Sequence, residues 1–340
     1  MKIISLVNQK GGCGKTTTAV NLAFALSQKK YRCLLIDFDP QAHATFFLGV
    51  KAQFTTADVL ESDISGIKVH LPDFAVNRSD NLWVLASSIG LSSIEQTLFN
   101  KPDKLKILSG VLADYDNHFD YCIIDCPPNL GILTLNALVV SDYAIAPMGI
   151  CGLSLRGVDN LNQIFKMLYE HTNKLPEIFY LITQFDKRYR FSQVFLTKAK
   201  DQLGNRLLSS MIRTNIHLRE SAVSGQSIFE YKKDARGSED YKLLSEEIDE
   251  LTKKTSTIKV SFNDTSSSEV YITGEFNGWQ KQEIYKMSKT RDNTFAIDID
   301  LKKGKYRYKF IADNRWIHDP KNQLIESDSF GGKNSILLVE

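Results

Sequence analysis

The stretch KGGCGKTT, from Lys10 to Thr17, decides the first half of the fold. It follows the apolar run IISLV (Ile3 to Val7) and precedes the helix-forming run AVNLAFAL, so a strand, a glycine-rich turn and a helix are predicted in that order. Glycines allow a turn tight enough for several backbone N–H groups to converge on one anion, and the helix N-terminus adds partial positive charge. The stretch therefore predicts a phosphate-binding loop.

The same pattern assigns roles to single side chains. Lys15 is expected to reach the β- and γ-phosphates of a nucleoside triphosphate, and Thr16 to bind Mg²⁺. Cys13 has no CxxC or Cys/His spacing around it, so we expect no redox or metal role for its thiol. The predicted nucleotide-binding residues are Lys10, Gly11, Gly12, Cys13, Gly14, Lys15, Thr16 and Thr17.

Up to about residue 250, short apolar runs alternate with amphipathic stretches of helix length. Among the runs are CLLID (Cys33 to Asp37), YCIID (Tyr121 to Asp125) and DYAIAP (Asp142 to Pro147). Such alternation is typical of βαβ units, and strands that are apolar on both faces are expected where helices cover both sides of a parallel sheet. We therefore predict an α/β domain over residues 1–255, followed by a second domain over 256–340.

Two further motifs stand at predicted strand ends, where ligands bind in open parallel sheets. They are Asp37-Phe-Asp-Pro-Gln41 and Asp125-Cys-Pro-Pro128. Together with Lys10, which lies ahead of the usual loop core, they resemble the deviant phosphate loop and partner motifs of the ParA/MinD ATPases. The resemblance covers about residues 1–252 and includes Ser154 to Gly157 and Phe229 to Leu244.

This resemblance implies a P-loop NTPase fold that hydrolyses ATP slowly with Mg²⁺. Asp39 would position the attacking water, Asp125 would hold Mg²⁺ through water, and Asp37 would support the metal shell. Lys10 would cross to the nucleotide of a second protomer, so that a homodimer encloses two ATP molecules and a ParB-like protein would stimulate turnover. The implied catalytic residues are Lys10, Lys15 and Asp39, and the implied metal residues are Thr16, Asp37 and Asp125.

Basic residues are concentrated between Lys187 and Arg219, where eight of them stand against the single acidic residue Asp201, a local charge of +7 (8 minus 1). A segregated basic stretch indicates binding to a phosphate backbone, and ParA relatives bind DNA non-specifically through this part of the chain. A solvated charged helix face is the alternative. The candidate DNA-binding residues are Lys187, Arg188, Arg190, Lys198, Lys200, Arg206, Arg213 and Arg219.

Beyond residue 255, β-rich pieces are separated by turn signals, a pattern that predicts a small immunoglobulin-like β-sandwich. Residues 258–340 resemble the glycogen-binding type of carbohydrate-binding module on the segments Val270 to Trp279, Tyr308 to Trp316 and Asn334-Ser-Ile-Leu. The resemblance implies α-glucan binding by two stacked tryptophans with polar and apolar neighbours. The alternative is a protein-docking sandwich with core tryptophans. The implied sugar-binding residues are Trp279, Lys309, Trp316, Phe330 and Asn334.

Composition limits the remaining function classes. Hydrophobic residues at 43% and charged residues at 24% are close to globular averages, which excludes a disordered or fibrous chain. The net charge of +2 means that attraction to nucleic acid must come from a local surface. Five cysteines in a chain of this size predict no disulfide framework, and no apolar run is long enough to span a membrane. We therefore expect a cytoplasmic protein without a membrane partner, associated with the nucleoid if it binds DNA.

Overall fold

The chain divides into two units, Met1–Asp249 and Glu250–Glu340. The structure is a computed structural model that describes residues 1–99, 101–115, 117–152, 154–172, 174–253, 255–290, 294–302, 304–328 and 332–339. Within these ranges no helix is both long and apolar enough to cross a bilayer.

The first unit alternates strands and helices along the chain, as the sequence predicts. Its strands are β1 (Lys2–Leu6), β2 (Cys33–Asp37), β3 (Val76–Ser79), β4 (Leu82–Leu85), β5 (Tyr121–Asp125), β6 (Tyr143–Gly149), β7 (Glu177–Phe185) and β8 (Leu207–Arg213). The helices before β6 are α1 (Lys15–Gln28), α2 (His43–Phe47), α3 (Thr56–Ile64), α4 (Leu71–Phe74), α5 (Gly90–Phe99), α6 (Ile107–Leu112) and α7 (Ile132–Val140). The later helices are α8 (Ser154–Thr172), α9 (Arg190–Leu203), α10 (His217–Val223), α11 (Ile228–Tyr231) and α12 (Arg236–Thr252).

The described strands of this unit form one eight-stranded sheet in the order β3-β4-β2-β5-β1-β6-β7-β8. Only the pairing of β3 with β4 is antiparallel among these strands. Every residue of β2 and β5 is buried, so both faces of the sheet centre are covered. The predicted fold class, a mostly parallel P-loop sheet between helices, is confirmed.

The sheet order brings three strand ends together. Strand β5 pairs with β1 on one side and with β2 on the other, and the register places Asp125 beside Leu6 and beside Asp37. The loop from Val7 to Gly14 begins where β1 ends. Two acidic strand ends and the glycine-rich loop therefore share one edge of the sheet, at the carboxyl ends of parallel strands.

After the end of α12, the described residues of the second unit form β-strands, together with two short 3-10 turns at Glu275–Asn277 and Glu283–Tyr285. Its strands are β9 (Thr255–Asn263), β10 (Val270–Gly274), β11 (Ser288–Lys289), β12 (Thr294–Lys302), β13 (Gly304–Ala312), β14 (Arg315–Ile317), β15 (Ile325–Ser327) and β16 (Lys333–Val339). One sheet has the order β10-β13-β16-β15 with β14 paired to β13, and the other has the order β11-β12-β9. Apolar side chains from both sheets, such as Phe262, Phe295 and Phe310, form one shared core, as a sandwich requires.

Candidate functional site

The loop before α1 has the backbone that a phosphate site needs. Gly12 and Gly14 have φ values of 71° and 92°, in the left-handed region where a side chain causes strain. Gly14 is the N-cap of α1, and Lys15 is the first helical residue, with 8% of its surface exposed. A buried ammonium group at a helix N-terminus favours a polyanionic ligand.

A cavity of about 960 Å³ opens beside this loop, and its volume suits a nucleotide. Its walls come from the loop, from the segment after β2, from the end of β7 and from α10. Lining residues include Gly12, Lys15, Thr16, Asp39, Pro128 and Asn215. The loop and both acidic motifs that the sequence singled out therefore contribute to one cavity.

Asp125 is the most unusual group at this edge of the sheet. Its side chain is fully buried, and neither carboxylate oxygen has a hydrogen-bond partner among the residues that the structure describes. Burial raises the pKa of this carboxyl well above its usual range, and the negative charge of Asp37 adds to the effect. A buried carboxylate without a partner is costly, so the position fits a cation or an ordered water shell.

Asp37 is held in place rather than left without partners. Its Oδ2 accepts hydrogen bonds from the backbone N–H and the hydroxyl of Thr45, at 2.8 and 2.7 Å, and its Oδ1 accepts one from the Asp39 N–H at 3.2 Å. Burial nevertheless raises the pKa of Asp37 to about 6, and the nearby Asp39 contributes to the rise. A divalent cation at this edge would favour the charged form of both carboxyls.

Magnesium fits the residues present. Among the residues described, no group of three His, Cys, Asp or Glu side chains could hold a metal ion by itself. Mg²⁺ typically binds one or two carboxylates together with waters and the phosphates of its nucleotide. Thr16, Asp37 and Asp125 would hold it here, Asp125 through water, and the ion would neutralise charge on the phosphates.

Asp39 faces the cavity from a fixed loop. The side chain is 5% exposed, its Oδ1 accepts a hydrogen bond from the Gln41 N–H at 2.9 Å, and its carbonyl accepts one from the Ser87 hydroxyl at 2.6 Å. One carboxylate oxygen is thus used to shape the loop. No hydrogen bond of the other oxygen, Oδ2, to a described residue is seen, and Asp39 is one of the residues that line the cavity.

Lys10, in the loop, has a different environment from Lys15, the first residue of α1. Lys10 is exposed and is not among the described residues that line the cavity of its own chain. Its Nζ lies 2.8 Å from Sγ of Cys151, in the turn after β6, and its carbonyl accepts a hydrogen bond from the Cys13 thiol at 3.1 Å. Burial raises the pKa of that thiol, which is consistent with a packing role for Cys13.

The end of β7 supports the loop, a contribution that the sequence analysis missed. The Thr183 hydroxyl donates to the Cys13 carbonyl at 2.8 Å, and the Gln184 side-chain amide donates to the Gly12 carbonyl at 2.8 Å. Gln184 has a φ of 56°, uncommon for a residue with a side chain. No local pattern marks these residues, because only the pairing of β6 with β7 brings them to the loop.

The eight candidate DNA-binding residues do not form one surface set. Arg213 pairs with the buried Asp240 and with Glu239, and Arg188 pairs with Asp186 at 2.6 Å. Arg213 and Arg219 both line the nucleotide cavity, unlike the other six. Two of the eight charges, those of Arg188 and Arg213, are neutralised by acidic residues outside the basic stretch.

The remaining basic residues lie on or near α9. Lys187, Arg190, Lys198 and Lys200 are exposed in the loop before this helix and along it, and Arg206 follows with its guanidinium 5.8 Å from the Tyr180 ring centroid. Arg190 and Lys198 are two helical steps of four residues apart, so they share a face with the exposed Val194. We name Lys187, Arg190 and Lys198 the α9 basic surface.

In the second unit, the four candidate sugar-binding residues that the structure describes lie on or beside one sheet, in β13, β14, β16 and the turn after β10. Tyr308 and Phe310 of β13 point into the core, so Lys309 between them faces outward. Trp316 pairs with Ile311, two residues further along the same face, and is 52% exposed. Neither tryptophan is a core residue, because Trp279 is half-buried and its ring centroid lies 6.5 Å from that of Trp316.

Trp279 is placed by its turn. The Asn277 side chain accepts a hydrogen bond from the Gly274 N–H at 3.0 Å and donates one to the Gln280 carbonyl at 2.9 Å, which closes the turn after β10. Trp279 itself has a φ of 61°, a conformation that costs about 1 kcal/mol or more for a bulky residue. The turn thus imposes the position of this ring.

Two polar candidates lie on the same face of the sheet as Trp316. Asn334 lies on β16, the neighbour of β13, and the pairing of Tyr308 with Ser335 puts it beside Lys309 on the outward face. The Lys309 ammonium donates to Asp328 Oδ2 at 2.5 Å. Phe330, the fifth candidate, lies outside the described residues.

Family models match both the phosphate-loop domain and the β-sandwich of this chain. The AAA domain family matches residues 1–178, and the family described as the glycogen recognition site of AMP-activated protein kinase matches residues 257–340. The sporulation initiation inhibitor protein Soj of Bacillus subtilis is 33% identical over 251 residues, which cover 73% of this chain and 98% of Soj.

Two further relatives cover the same part of the chain. The chromosome partitioning protein ParA of Myxococcus xanthus is 31% identical over 250 residues, 73% of this chain and 87% of ParA. Cobyrinic acid a,c-diamide synthase of Mycobacterium smegmatis, solved with an ATP analogue and magnesium, has a TM-score of 0.62 at 28% identity, covering 72% of this chain and 93% of the synthase chain. The chain thus belongs to the ParA/MinD family of P-loop ATPases, joined to a module of the glycogen-recognition family.

Proposed function

We propose that this protein is a switch that binds Mg-ATP, dimerises around it and hydrolyses it slowly, and that its second unit binds an α-glucan such as glycogen. In the cell it would position a glucan-bearing cargo. The observation that carries the ATPase part is the buried Asp125 carboxylate, which has no described partner and lies in register with Asp37 beside the phosphate loop. A buried carboxylate of this kind is stabilised by a cation, and Mg²⁺ bound to a nucleotide would provide one.

The residues that line the cavity support the binding and hydrolysis steps. The loop backbone and Lys15 would hold the phosphates, and Asp39 would orient the attacking water in line with the γ-phosphate. Lys10 is exposed and outside its own cavity, and its ammonium would exchange the contact with Cys151 for a nucleotide held by a second protomer. Hydrolysis removes the γ-phosphate, which both protomers would contact. The two protomers should therefore separate after hydrolysis.

Replacing Asp39 tests the water-positioning role. We expect Asp39→Ala to lower the turnover number for ATP by about 100-fold or more, because a positioned base contributes on that scale, while ATP still binds. Phosphate release and equilibrium binding of ATP measure the two effects. Asp39→Asn is the matched control, because its amide oxygen can keep the hydrogen bond from Gln41. Normal hydrolysis by Asp39→Ala would remove Asp39 from the mechanism, whereas normal hydrolysis by Asp39→Asn alone would show that its charge is not required.

We also propose that the ATP-bound dimer binds DNA non-specifically through the α9 basic surface. Its three exposed side chains are not among the described ion pairs. Arg190 and Lys198 share one face of α9 and Lys187 lies just before the helix, an arrangement that suits a phosphate backbone. The apolar side chains of Val194 and Phe191 are exposed among these basic residues. The sequence of this region contains no known motif for reading DNA bases. The binding is therefore expected to depend on salt rather than on sequence.

Charge reversal of that surface is the corresponding test. We expect Lys187→Glu, Arg190→Glu and Lys198→Glu together to weaken the ATP-dependent binding of random duplex DNA strongly. Any binding that remains at low salt should release about three fewer counterions. A control triple variant, Lys51→Glu, Lys68→Glu and Lys174→Glu, changes the net charge equally at other exposed positions. An unchanged shift in the first variant would exclude this surface.

A second candidate function is an ATPase that responds to glucan and does not bind DNA. The observation that favours it is the neutralisation of Arg188 and Arg213 by acidic partners, which reduces the basic stretch that motivated DNA binding. The same gel shift decides between the two, because wild-type protein that shifts no DNA at low salt with ATP would leave only this candidate. Glycogen retention is expected in both cases.

A further inference from the structure

Asp328 is an acidic group built into the proposed sugar face that the sequence analysis did not select. Its Oδ2 accepts a hydrogen bond from the Lys309 ammonium at 2.5 Å. The Asp328 side chain is 11% exposed and the Lys309 side chain 14%. Its Oδ1 accepts the Gly332 N–H at 2.7 Å, and its own N–H donates to the Gly332 carbonyl at 2.9 Å. The carboxylate is thus fixed from two sides.

This ion pair differs from its neighbours in burial. Among the described ion pairs of the second unit it is the most enclosed. The pairs Arg307–Glu275 and Lys281–Glu269 have side chains that are 34% to 47% exposed. Exposed pairs contribute little, whereas an enclosed pair fixes the geometry of both groups. A lysine side chain is otherwise a flexible, strongly hydrated point charge.

The pair also sets the charge of the site. Lys309 alone would present a positive charge beside the two tryptophans and would attract anionic ligands. With Asp328 the pair is neutral, and it offers ammonium donors next to carboxylate acceptors. Neighbouring hydroxyls of a sugar ring can donate and accept in the same way, so a neutral pair suits an uncharged sugar.

We propose that Asp328 is a positioning and specificity residue of the glucan site. It orients the Lys309 ammonium toward the sugar, and it cancels the charge that would otherwise admit phosphorylated glucans. This inference rests on the proposed glucan-binding function and adds which glucans the site accepts. The site selects uncharged α-glucan over glucan that carries phosphate monoesters.

Calorimetry on the full chain tests the proposal with maltoheptaose and with phosphorylated maltodextrin. Asp328→Asn keeps the size of the side chain and an amide oxygen for the Gly332 N–H. We expect it to raise the Kd for maltoheptaose about tenfold, as loss of a charge-assisted contact should. Lys309→Met should have a similar effect, and the double variant should be no weaker than either single variant. Asp328→Asn should also gain binding to phosphorylated maltodextrin that decreases with salt.

The outcomes separate the two levels of the proposal. Wild-type protein that binds neither maltoheptaose nor glycogen overturns the glucan function together with this inference. Wild-type binding with Asp328→Asn unchanged toward both ligands, or with additive losses in the double variant, overturns the inference alone. A role for Asp328 in folding only would lower the melting temperature without creating salt-sensitive binding to the phosphorylated ligand, and that result also counts against it.

Discussion

Lys15→Ala is expected to weaken ATP binding by more than about 100-fold. The Lys15 ammonium is buried at the N-terminus of α1 in the wall of the cavity, where its attraction to phosphate is screened little by solvent. The only contact that its Nζ makes with the described residues at hydrogen-bond range is a long one, 3.5 Å, to the Lys10 carbonyl. The substitution should therefore leave the fold intact. The measurement is titration with a fluorescent ATP analogue in the presence of Mg²⁺.

Lys10→Ala is the matched control from the same loop. Because Lys10 is exposed and outside the cavity of its own chain, this variant should bind ATP close to normally and fail only in dimerisation. A nucleotide-dependent rise in melting temperature gives a second readout, since a ligand that binds only the folded state stabilises it. Lys15→Ala with nearly normal ATP affinity would contradict the phosphate-binding role of the loop.

Replacing both tryptophans of the sugar face should have the second large effect. Trp279 and Trp316 provide the apolar plates against which the C–H face of a glucose ring would stack, and each truncation is expected to cost about 1–3 kcal/mol. Trp279→Ala combined with Trp316→Ala should therefore lower glycogen affinity by more than about 100-fold. Retention of the full-length protein on immobilised glycogen measures the loss.

Ile284→Ala provides the control for this experiment. Ile284 is also a large apolar side chain of the second unit, 78% exposed and outside the proposed site, so its loss should not affect retention. Thermal unfolding of both variants shows whether the sandwich is intact. If the double tryptophan variant stays on glycogen as the wild type does, the outward face of the five-stranded sheet is not the sugar site.

The elements that the sequence predicted best are those whose local pattern agrees with their burial. The predicted runs Cys33–Asp37 and Tyr121–Asp125 have the same bounds as β2 and β5, because every side chain in them is buried between two helix layers. The run that begins at Asp142 differs. We predicted its end at Pro147, a residue that lacks a ladder donor, but β6 continues to Gly149 because it pairs with β7 along its whole length.

Short strands gave no usable pattern. Strands β11, β14 and β15 have two or three residues each, too few to show an alternation of apolar and polar side chains. They form because a longer neighbouring strand provides backbone hydrogen-bond partners, as β13 does for β14. Their existence depends on the sandwich as a whole and is not encoded locally.

The same distinction between local pattern and distant contact applies to the site residues. Motif residues such as Asp39 could be selected from the sequence, because strand ends in a parallel sheet converge on one edge. Thr183 and Asp328 could not, since each acts through a contact with a distant segment. The basic stretch shows the opposite error. The charge count between Lys187 and Arg219 overstated the basic surface, because Asp240 of α12 neutralises Arg213 in the fold.

The dimer of first units closed on ATP is best tested by light scattering on Asp39→Ala, because this variant should hold ATP without cleaving it. We expect about twice the monomer mass with ATP and Mg²⁺ and the monomer mass with ADP. A monomer with ATP demonstrably bound would show that ATP does not bring two protomers together.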